Sequence, residues 1–192
     1  MDLYKDTPIY LFTTQKEFEQ WLTHSSQSVT AIWIKFAKKD SGKVSISYDD
    51  ALDSALCYGW IDGLKNAYDT AYYVIRFTPR KPKSIWSKRN REHVERLIKE
   101  NRMTALGLKH IKSAKADGRW EAAYDGSSNI IIPDYFITEL KKDSNAYAFF
   151  QTLSKTDCYP IAFRLQTAIK QETKQRRMKG IIEKLRNKQK IS

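Results

Sequence analysis

The sequence places its strand-type patterns in the first 80 residues and its helical patterns mainly in the remainder of a 192-residue chain. Residues 29–36 and 71–77 are rich in β-branched and aromatic side chains, which is typical of buried strands. From residue 84 onward, apolar residues recur at helical spacing. Such segregation argues against an alternating β-α-β fold. We therefore expect an α+β protein with a small N-terminal sheet and packed helices, followed by a basic all-helical C-terminal module.

One helix is expected between the two predicted strands, over residues 48–58. Ser47 is its candidate N-cap, since a serine hydroxyl accepts a hydrogen bond from a free backbone N–H of the first turn. Gly59 is its expected end, because glycine readily adopts the conformation that stops a helix. The helix dipole and capping explain three acidic residues near its start: Asp49, Asp50 and Asp53.

The segment 124–129 is the best linker candidate, because it combines small, polar and turn-forming residues. It divides the chain into an expected α+β domain over residues 1–126 and an expected basic helical module over residues 127–192. The first part holds the motifs Gly-Trp-Ile-Asp-Gly and Thr-Pro-Arg-Lys-Pro.

Positive charge is concentrated in two segments of the chain, whose net charge is +12. Residues 76–119 hold 14 Lys/Arg against 4 Asp/Glu, and residues 164–192 hold 10 against 2. Concentrated basic surfaces attract anionic partners, whether nucleic acid, anionic lipid or a phosphorylated small molecule. No apolar run approaches the roughly 18 residues of a membrane span, and the N-terminus lacks a signal-peptide pattern. We expect a cytoplasmic protein without integral membrane association.

Cysteine and histidine spacing predicts neither a metal site nor a cofactor. Cys57 and Cys158 are far apart in the sequence, with no Cys-x-x-Cys pair and no His/Cys cluster. Cys57 is expected to be a core residue. The histidines His24, His93 and His110 are expected at the surface or at helix ends. Common catalytic motifs are absent, which favours a non-enzymatic protein.

Residues 76–91 are the most informative stretch, because cations alternate there with Trp86, small hydroxyl residues and a helix start. Arginine forks and free helix N–H groups both suit phosphate or carboxylate. Asp62 precedes this stretch in the sequence and lies in the expected Gly-Trp-Ile-Asp-Gly turn. A carboxylate placed there needs a hydrogen-bonding or ionic partner. Arg76 or Arg80 would supply one, and a bond to its own backbone is the alternative.

Three ordered blocks of the chain carry a family resemblance: Tyr58-Gly59-Trp60-Ile61-Asp62-Gly63, Arg76-Phe77-Thr78-Pro79-Arg80-Lys81-Pro82, and Arg102-Met103-Thr104 with Gly107-Leu108. With Gly118-Arg119-Trp120 they resemble the YdeI/OmpD-associated family, also labelled bacteriocin-protection proteins. The resemblance extends over nearly the whole chain. It implies a link to bacteriocin protection or to an outer-membrane porin, and no catalytic mechanism.

The C-terminal part resembles the small helical module that closes proteins of this family. There the family usually shows an Ala-Lys pair before Glu-Thr, and an arginine after it. In this chain Ile169 separates Ala168 from Lys170, and Lys174 stands in place of the arginine. A role that needs the planar fork of that arginine is not expected here.

The leading hypothesis is a non-enzymatic protein that binds a small anionic ligand in one polar, aromatic-walled site. Arginines would hold the anion, tryptophans would form the walls and the aspartate would orient an arginine. The candidate ligand-binding residues are Trp60, Asp62, Arg76, Arg80, Trp86, Ser87 and Asn90.

Two alternatives belong to other functional classes, and the sequence leaves the oligomeric state open. A nucleic-acid-binding regulatory protein would use both basic segments, through Lys88, Arg89, Arg91, Lys174, Arg176 and Arg177. An enzyme of unfamiliar type would use Asp62 as an acid or base.

Overall fold

The structure, a computed structural model, describes residues 2–126 and 129–191. Within these residues it has a five-stranded sheet of order β1-β2-β3-β5-β4, in which β2 and β3 are parallel and the other neighbours antiparallel. The strands are β1 (Leu3–Tyr4), β2 (Thr7–Tyr10), β3 (Ile32–Ala37), β4 (Trp60–Ala67) and β5 (Tyr72–Pro79).

Eight helices accompany the sheet in the described part of the chain. They are α1 (Gln15–Ser25), α2 (Tyr48–Cys57), α3 (Lys88–Lys99), α4 (Ala105–Ala116), α5 (Asp134–Leu140), α6 (Ser144–Phe150), α7 (Lys155–Gln166) and α8 (Gln171–Arg186). All strands precede α3, so the predicted α+β class with an N-terminal sheet and a helical C-terminal part is confirmed. None of the described helices is long and apolar enough to cross a membrane.

The chain divides into two compact units, the first formed by residues 1–84 and 92–113 and the second by residues 85–91 and 114–192. This division differs from a single boundary after residue 126. Residues 85–91 belong to the second unit because Ser87 forms a β-bridge with Tyr124 and Trp86 packs against Trp120. The predicted linker at 124–129 includes residues 127 and 128, which lie outside the described residues.

The core of the first unit lies between the sheet and helices α1 and α2. Alternate residues of β3, namely Ile32, Ile34 and Phe36, are buried in this core. Phe18 of α1 and Ala51 of α2 pack in the same cluster. The opposite face of the sheet carries Trp33, Ile9 and Val74 in a smaller cluster. One face of the sheet therefore holds both helices and most of the apolar burial.

The strand β4 corrects one local prediction. Asp62 was expected in a tight turn, but β4 begins at Trp60 and pairs with β5 through Trp60–Pro79 and Asp62–Phe77. The turn lies earlier, at Gly59, whose φ of +76° ends α2. A side chain is strained at such a φ, which is why glycine suits this position.

The core of the second unit is helical. Buried side chains from α5, α6, α7 and α8 form one cluster, with Phe136, Ala146, Ile161 and Ile181 among its members. Ile181 and Leu185 are the buried residues of α8, and its basic residues are exposed or partly exposed. The predicted amphipathic character of the last helix is confirmed.

Candidate functional site

The topology of the sheet brings three strand ends together. Strand β5 runs antiparallel to both β3 and β4, so the starts of β3 and β4 lie beside the end of β5. The register confirms this, since Ile32 pairs with Phe77 and Trp60 pairs with Pro79. Connections that enter or leave the sheet at this end are therefore neighbours in space.

A cavity of about 880 Å³ lies at this end of the sheet, and all its described lining residues belong to the first unit. It is called the sheet-end cavity below. Its walls are the α1–β3 connection (residues 26–30), the α2–β4 turn (residues 58–60), residues 76 and 78–81, and two residues of α4, Leu106 and His110. Its size suits a whole small molecule, since typical ligand sites measure roughly 300–1,000 Å³.

The sheet-end cavity is electrically positive. Arg76, Arg80 and Lys81 line it, and none of its described lining residues is acidic. The side chains of Arg76 and Lys81 make no hydrogen bond or ion pair with other described residues. Arg80 is buried, and its backbone N–H donates to the carbonyl of Gly59 at 2.8 Å, which joins the end of β5 to the α2–β4 turn. Two cations at the wall are therefore available to an anion.

Hydroxyl groups supply further hydrogen-bonding capacity around these cations. Thr30 contributes from the α1–β3 connection and Thr78 from the end of β5, whereas the Ser28 hydroxyl donates to the carbonyl of Ser25 at 3.0 Å. Tyr58 lies at the wall with its hydroxyl 2.9 Å from that of Thr23. Neutral donors beside cations are the combination that binds phosphate and carboxylate oxygens.

Helix α4 is held against the α2–β4 turn by close backbone contacts. Thr104 donates its hydroxyl to the carbonyl of Cys57 at 2.6 Å. A Cβ on Gly107 would lie 2.5 Å from that same carbonyl oxygen, and a Cβ on Gly59 would lie 2.9 Å from Cδ2 of His110. Neither Gly59 nor Gly107 has room for a side chain. This packing places His110 at the wall of the sheet-end cavity.

Three of the seven candidate ligand-binding residues line the sheet-end cavity: Trp60, Arg76 and Arg80. Trp60 is 2% exposed and meets Trp21 edge-on, with ring centroids 5.6 Å apart. It therefore closes the wall without offering an open face for stacking. Asp62 is not among the residues that line the cavity, and it accepts a hydrogen bond of 2.8 Å from the Tyr48 hydroxyl. This tyrosine takes the place of the arginine partner that the sequence suggested.

The other three candidates, Trp86, Ser87 and Asn90, belong to the second unit. The indole of Trp86 is 2% exposed and packs against Trp120 with centroids 5.0 Å apart. The Ser87 hydroxyl accepts from the backbone N–H of Asn90 at 3.1 Å, which is an N-cap interaction at the start of α3. Within the second unit these residues anchor and start a helix.

Several cations of the proposed nucleic-acid surface have partners within the second unit. Lys88 pairs with Asp125 at 2.7 Å. Arg91 donates to the carbonyl of Trp120 at 2.8 Å and lies over its ring. Of the remaining cations, Lys174 lies over the Tyr135 ring, Arg177 donates to Arg164 and Thr167, and Arg89 and Arg176 are exposed.

A buried charged cluster connects α2 and α3, and no sequence pattern predicted it. The Asp53 carboxylate is 6% exposed and lies 2.7 Å from Nδ1 of His93 and 2.5 Å from Nη2 of Arg96. The hydrogen bond to Asp53 raises the pKa of Arg96. Asp53 therefore joins two helices, whereas Asp50 performs the expected capping with Ser47. His93 is likewise a partner in this cluster and not a free surface residue.

The thiols are unsuited to nucleophilic chemistry. Cys57 is buried, and burial raises its pKa to about 12. Burial also raises the pKa of Cys158. Thiols in this state carry little thiolate near neutral pH. Among the described residues, no group of three or more His, Cys, Asp or Glu side chains is arranged to hold a metal ion.

Comparison with known families separates the two parts of the chain. Residues 10–110, which include the sheet-end cavity, match a family described as a domain of unknown function (DUF8412). Residues 129–188 match the family described as Bacteriocin-protection, YdeI or OmpD-Associated. The chain belongs to the DUF8412 family and carries a YdeI/OmpD-associated module. Neither a curated protein nor a solved structure gives a significant match.

The predicted resemblance to the YdeI/OmpD-associated family is confirmed for residues 129–188, and not for nearly the whole chain. The match covers α5 to α8, which form the helical module. Three of the blocks that carried the resemblance, around Trp60, Arg76 and Thr104, lie within residues 10–110 and match the DUF8412 family, and residues 118–120 lie outside both matches. The name of the YdeI/OmpD-associated family therefore describes a part of the chain that does not contain the sheet-end cavity.

Proposed function

We propose that this protein is a non-enzymatic binding protein whose sheet-end cavity takes a small anionic molecule. The observation that carries the proposal is the composition of the cavity wall. Arg76 and Lys81 have no acidic partner among the described residues, and no acidic side chain lines the cavity. Cations gathered at a concave wall raise the local concentration of anions there.

In this proposal Arg76 and Lys81 hold the charged group of the ligand, with Arg80 as a third cation at the wall. Thr30 and Thr78 donate further hydrogen bonds to its oxygens. Trp60, Leu106 and His110 close the sides of the cavity. The ligand class is a small phosphorylated or carboxylated molecule. We connect this activity to bacteriocin protection through the family description of the C-terminal module alone.

The position of Asp62 supports a binding role over catalysis. A general acid or base has to lie within hydrogen-bond reach of the reacting group. Asp62 is bonded to Tyr48 and does not line the sheet-end cavity. Among the described residues, the lining of the cavity offers cations, hydroxyls and the His110 ring, and no carboxylate that would abstract a proton.

Titration of the full-length protein tests the proposal, with inorganic phosphate, pyrophosphate, citrate and adenosine monophosphate as probes. Backbone amide shifts of Thr30, Thr78 and His110 report binding at this cavity. Arg76→Ala is expected to weaken binding by about tenfold, because a charge-assisted hydrogen bond is lost. Lys112→Ala removes one positive charge from an exposed site on α4 and is the matched control.

A further inference from the structure

A second positively charged site lies in the second unit, between α7 and α8. A groove of about 150 Å³ there is lined by Arg164, Arg176, Arg177 and Lys184, and by no acidic residue among those described. Ile181 and Ile191 are buried and form its apolar floor. This feature is called the α7–α8 groove below.

The cations of the α7–α8 groove are arranged by the helix. Arg176, Gly180 and Lys184 follow one another at intervals of four residues, so they lie along one face of α8. Arg177 is fixed beside them, because its Nη1 donates to the carbonyl of Arg164 at 2.7 Å and to the Thr167 hydroxyl at 3.1 Å. The side chains of Arg176 and Lys184 make no hydrogen bond or ion pair within the described residues.

Gly180 is an unusual residue for the middle of α8, since glycine disfavours a helix interior relative to alanine. Packing does not require it, because a Cβ built on Gly180 meets no atom within 4 Å. The glycine instead leaves an open notch between Arg176 and Lys184, where a ligand atom can approach the helix backbone closely. The glycine supports a ligand site independently of the positive charge of the groove.

The size of the groove limits what it holds. It is smaller than the roughly 300–1,000 Å³ of sites for whole organic ligands. Since a water molecule occupies roughly 30 Å³ of liquid, the groove has room for one small oxyanion and little more. Guanidinium forks and an ammonium group match the oxygens of phosphate.

We propose that the α7–α8 groove binds a single phosphate group, presented as free phosphate or as a phosphate monoester. Arg176 and Lys184 contact its oxygens from either side of Gly180, and Arg177 provides a third, fixed cation. The YdeI/OmpD-associated module then has a ligand site of its own. This site does not depend on the sheet-end cavity.

Amide chemical-shift titration of the full-length protein with inorganic phosphate at constant ionic strength tests this site, with the Gly180 amide as its reporter. The double variant Arg176→Gln/Lys184→Gln is expected to bind phosphate at least about fivefold more weakly. Lys174→Gln/Lys179→Gln removes the same charge from α8 outside the groove and is expected to stay within about twofold of the wild type. Arg76→Ala is expected to leave the Gly180 response unchanged.

Gly180→Ala separates a binding role from a structural one. The substitution is expected to raise the melting temperature, because alanine favours helix, and at the same time to weaken phosphate binding. A higher melting temperature with unchanged phosphate affinity would overturn the role of Gly180. Equal losses in the two double variants would overturn the site, since they would indicate attraction to the overall charge of α8.

Two further probes distinguish the sources of the phosphate group. Ribose 5-phosphate that competes with free phosphate at the Gly180 amide supports a monoester ligand. A short single-stranded oligonucleotide that binds equally well to the wild type and to Arg176→Gln/Lys184→Gln, with no phosphate response at Gly180, would overturn the proposal in favour of a diffuse nucleic-acid surface.

Discussion

At the scale of single residues, the carboxylate of Asp53 joins α2 to α3 through His93 and Arg96. Glu19 extends the cluster to α1, because it accepts from Arg102 at 3.1 Å and from the Ser54 hydroxyl at 2.9 Å. Charged groups of this kind are stable when buried only if they are paired. The cluster therefore fixes how three helices of the first unit pack around the sheet.

We predict that Asp53→Ala destabilises the protein by about 2 kcal/mol in denaturant unfolding. The value is below the roughly 3–5 kcal/mol of fully buried pairs, because solvent screens the half-exposed Arg96. Asp40→Asn, at an exposed loop position, is the control and is expected to change stability by less than about 0.5 kcal/mol. Equal stability of the two variants would contradict this account of Asp53.

The thiols give a second prediction at this scale. With a pKa of about 12, Cys57 is almost entirely protonated at pH 8 and stays unreactive towards a disulfide reagent in the folded protein. We expect Cys57→Ser to leave the native labelling rate unchanged and Cys158→Ser to abolish it. Because burial raises the pKa of Cys57, its labelling should increase only as the pH approaches that raised pKa, or on unfolding. Rapid native labelling of Cys57 at pH 8 would show that its burial is wrong.

At the scale of elements, the docking of α4 on the α2–β4 turn shapes the sheet-end cavity. The contact depends on two glycines, Gly59 and Gly107, and on the hydrogen bond from Thr104 to Cys57. These residues lie in the blocks that the sequence singled out. Gly59, Gly107 and Thr104 are therefore important because they let α4 approach the backbone of the α2–β4 turn closely, in addition to any contact with a ligand.

Gly107→Ala is predicted to destabilise the first unit by about 1–3 kcal/mol, because its Cβ would meet a backbone carbonyl that cannot move aside freely. The same substitution should weaken anion binding, since α4 carries His110 at the cavity wall. Thermal unfolding and a phosphate titration measure the two effects. Gly126→Ala, where a Cβ meets nothing within 4 Å, is the control. A Gly107→Ala protein as stable as this control would refute the close contact.

The elements also show where sequence patterns were informative. Apolar and β-branched spacing located β3, α2 and β5 to within about two or three residues, because these patterns are local. The pairings of Asp53 with His93 and of Tyr48 with Asp62 join residues that are distant in the chain or on separate elements. No local pattern encodes them. Residues 85–91 belong to the second unit because Trp86 contacts Trp120 and Ser87 pairs with Tyr124, and these contacts likewise join residues that are distant in the chain.

At the scale of the whole chain, the positive charge is divided between two compact units, and most of each unit lies in a segment that matches a different family description. The first unit has Arg76 and Lys81 at a cavity, and the second has Arg176 and Lys184 at a narrow groove. The net charge predicted an anionic partner, but it did not distinguish a nucleic acid or an anionic lipid from a small molecule. The arrangement of cations around concave sites favours small anions over a continuous nucleic-acid surface.

Binding of an anion at the sheet-end cavity through Arg76 is tested by an amide-shift titration with phosphate, pyrophosphate, citrate and adenosine monophosphate. The protein carries Arg176→Gln/Lys184→Gln, which removes binding at the α7–α8 groove from the signal. We predict saturable shifts at Thr30, Thr78 and His110 that weaken by about tenfold when Arg76→Ala is added. Absence of shifts at these residues with all four anions, or an affinity unchanged by Arg76→Ala, would contradict the claim.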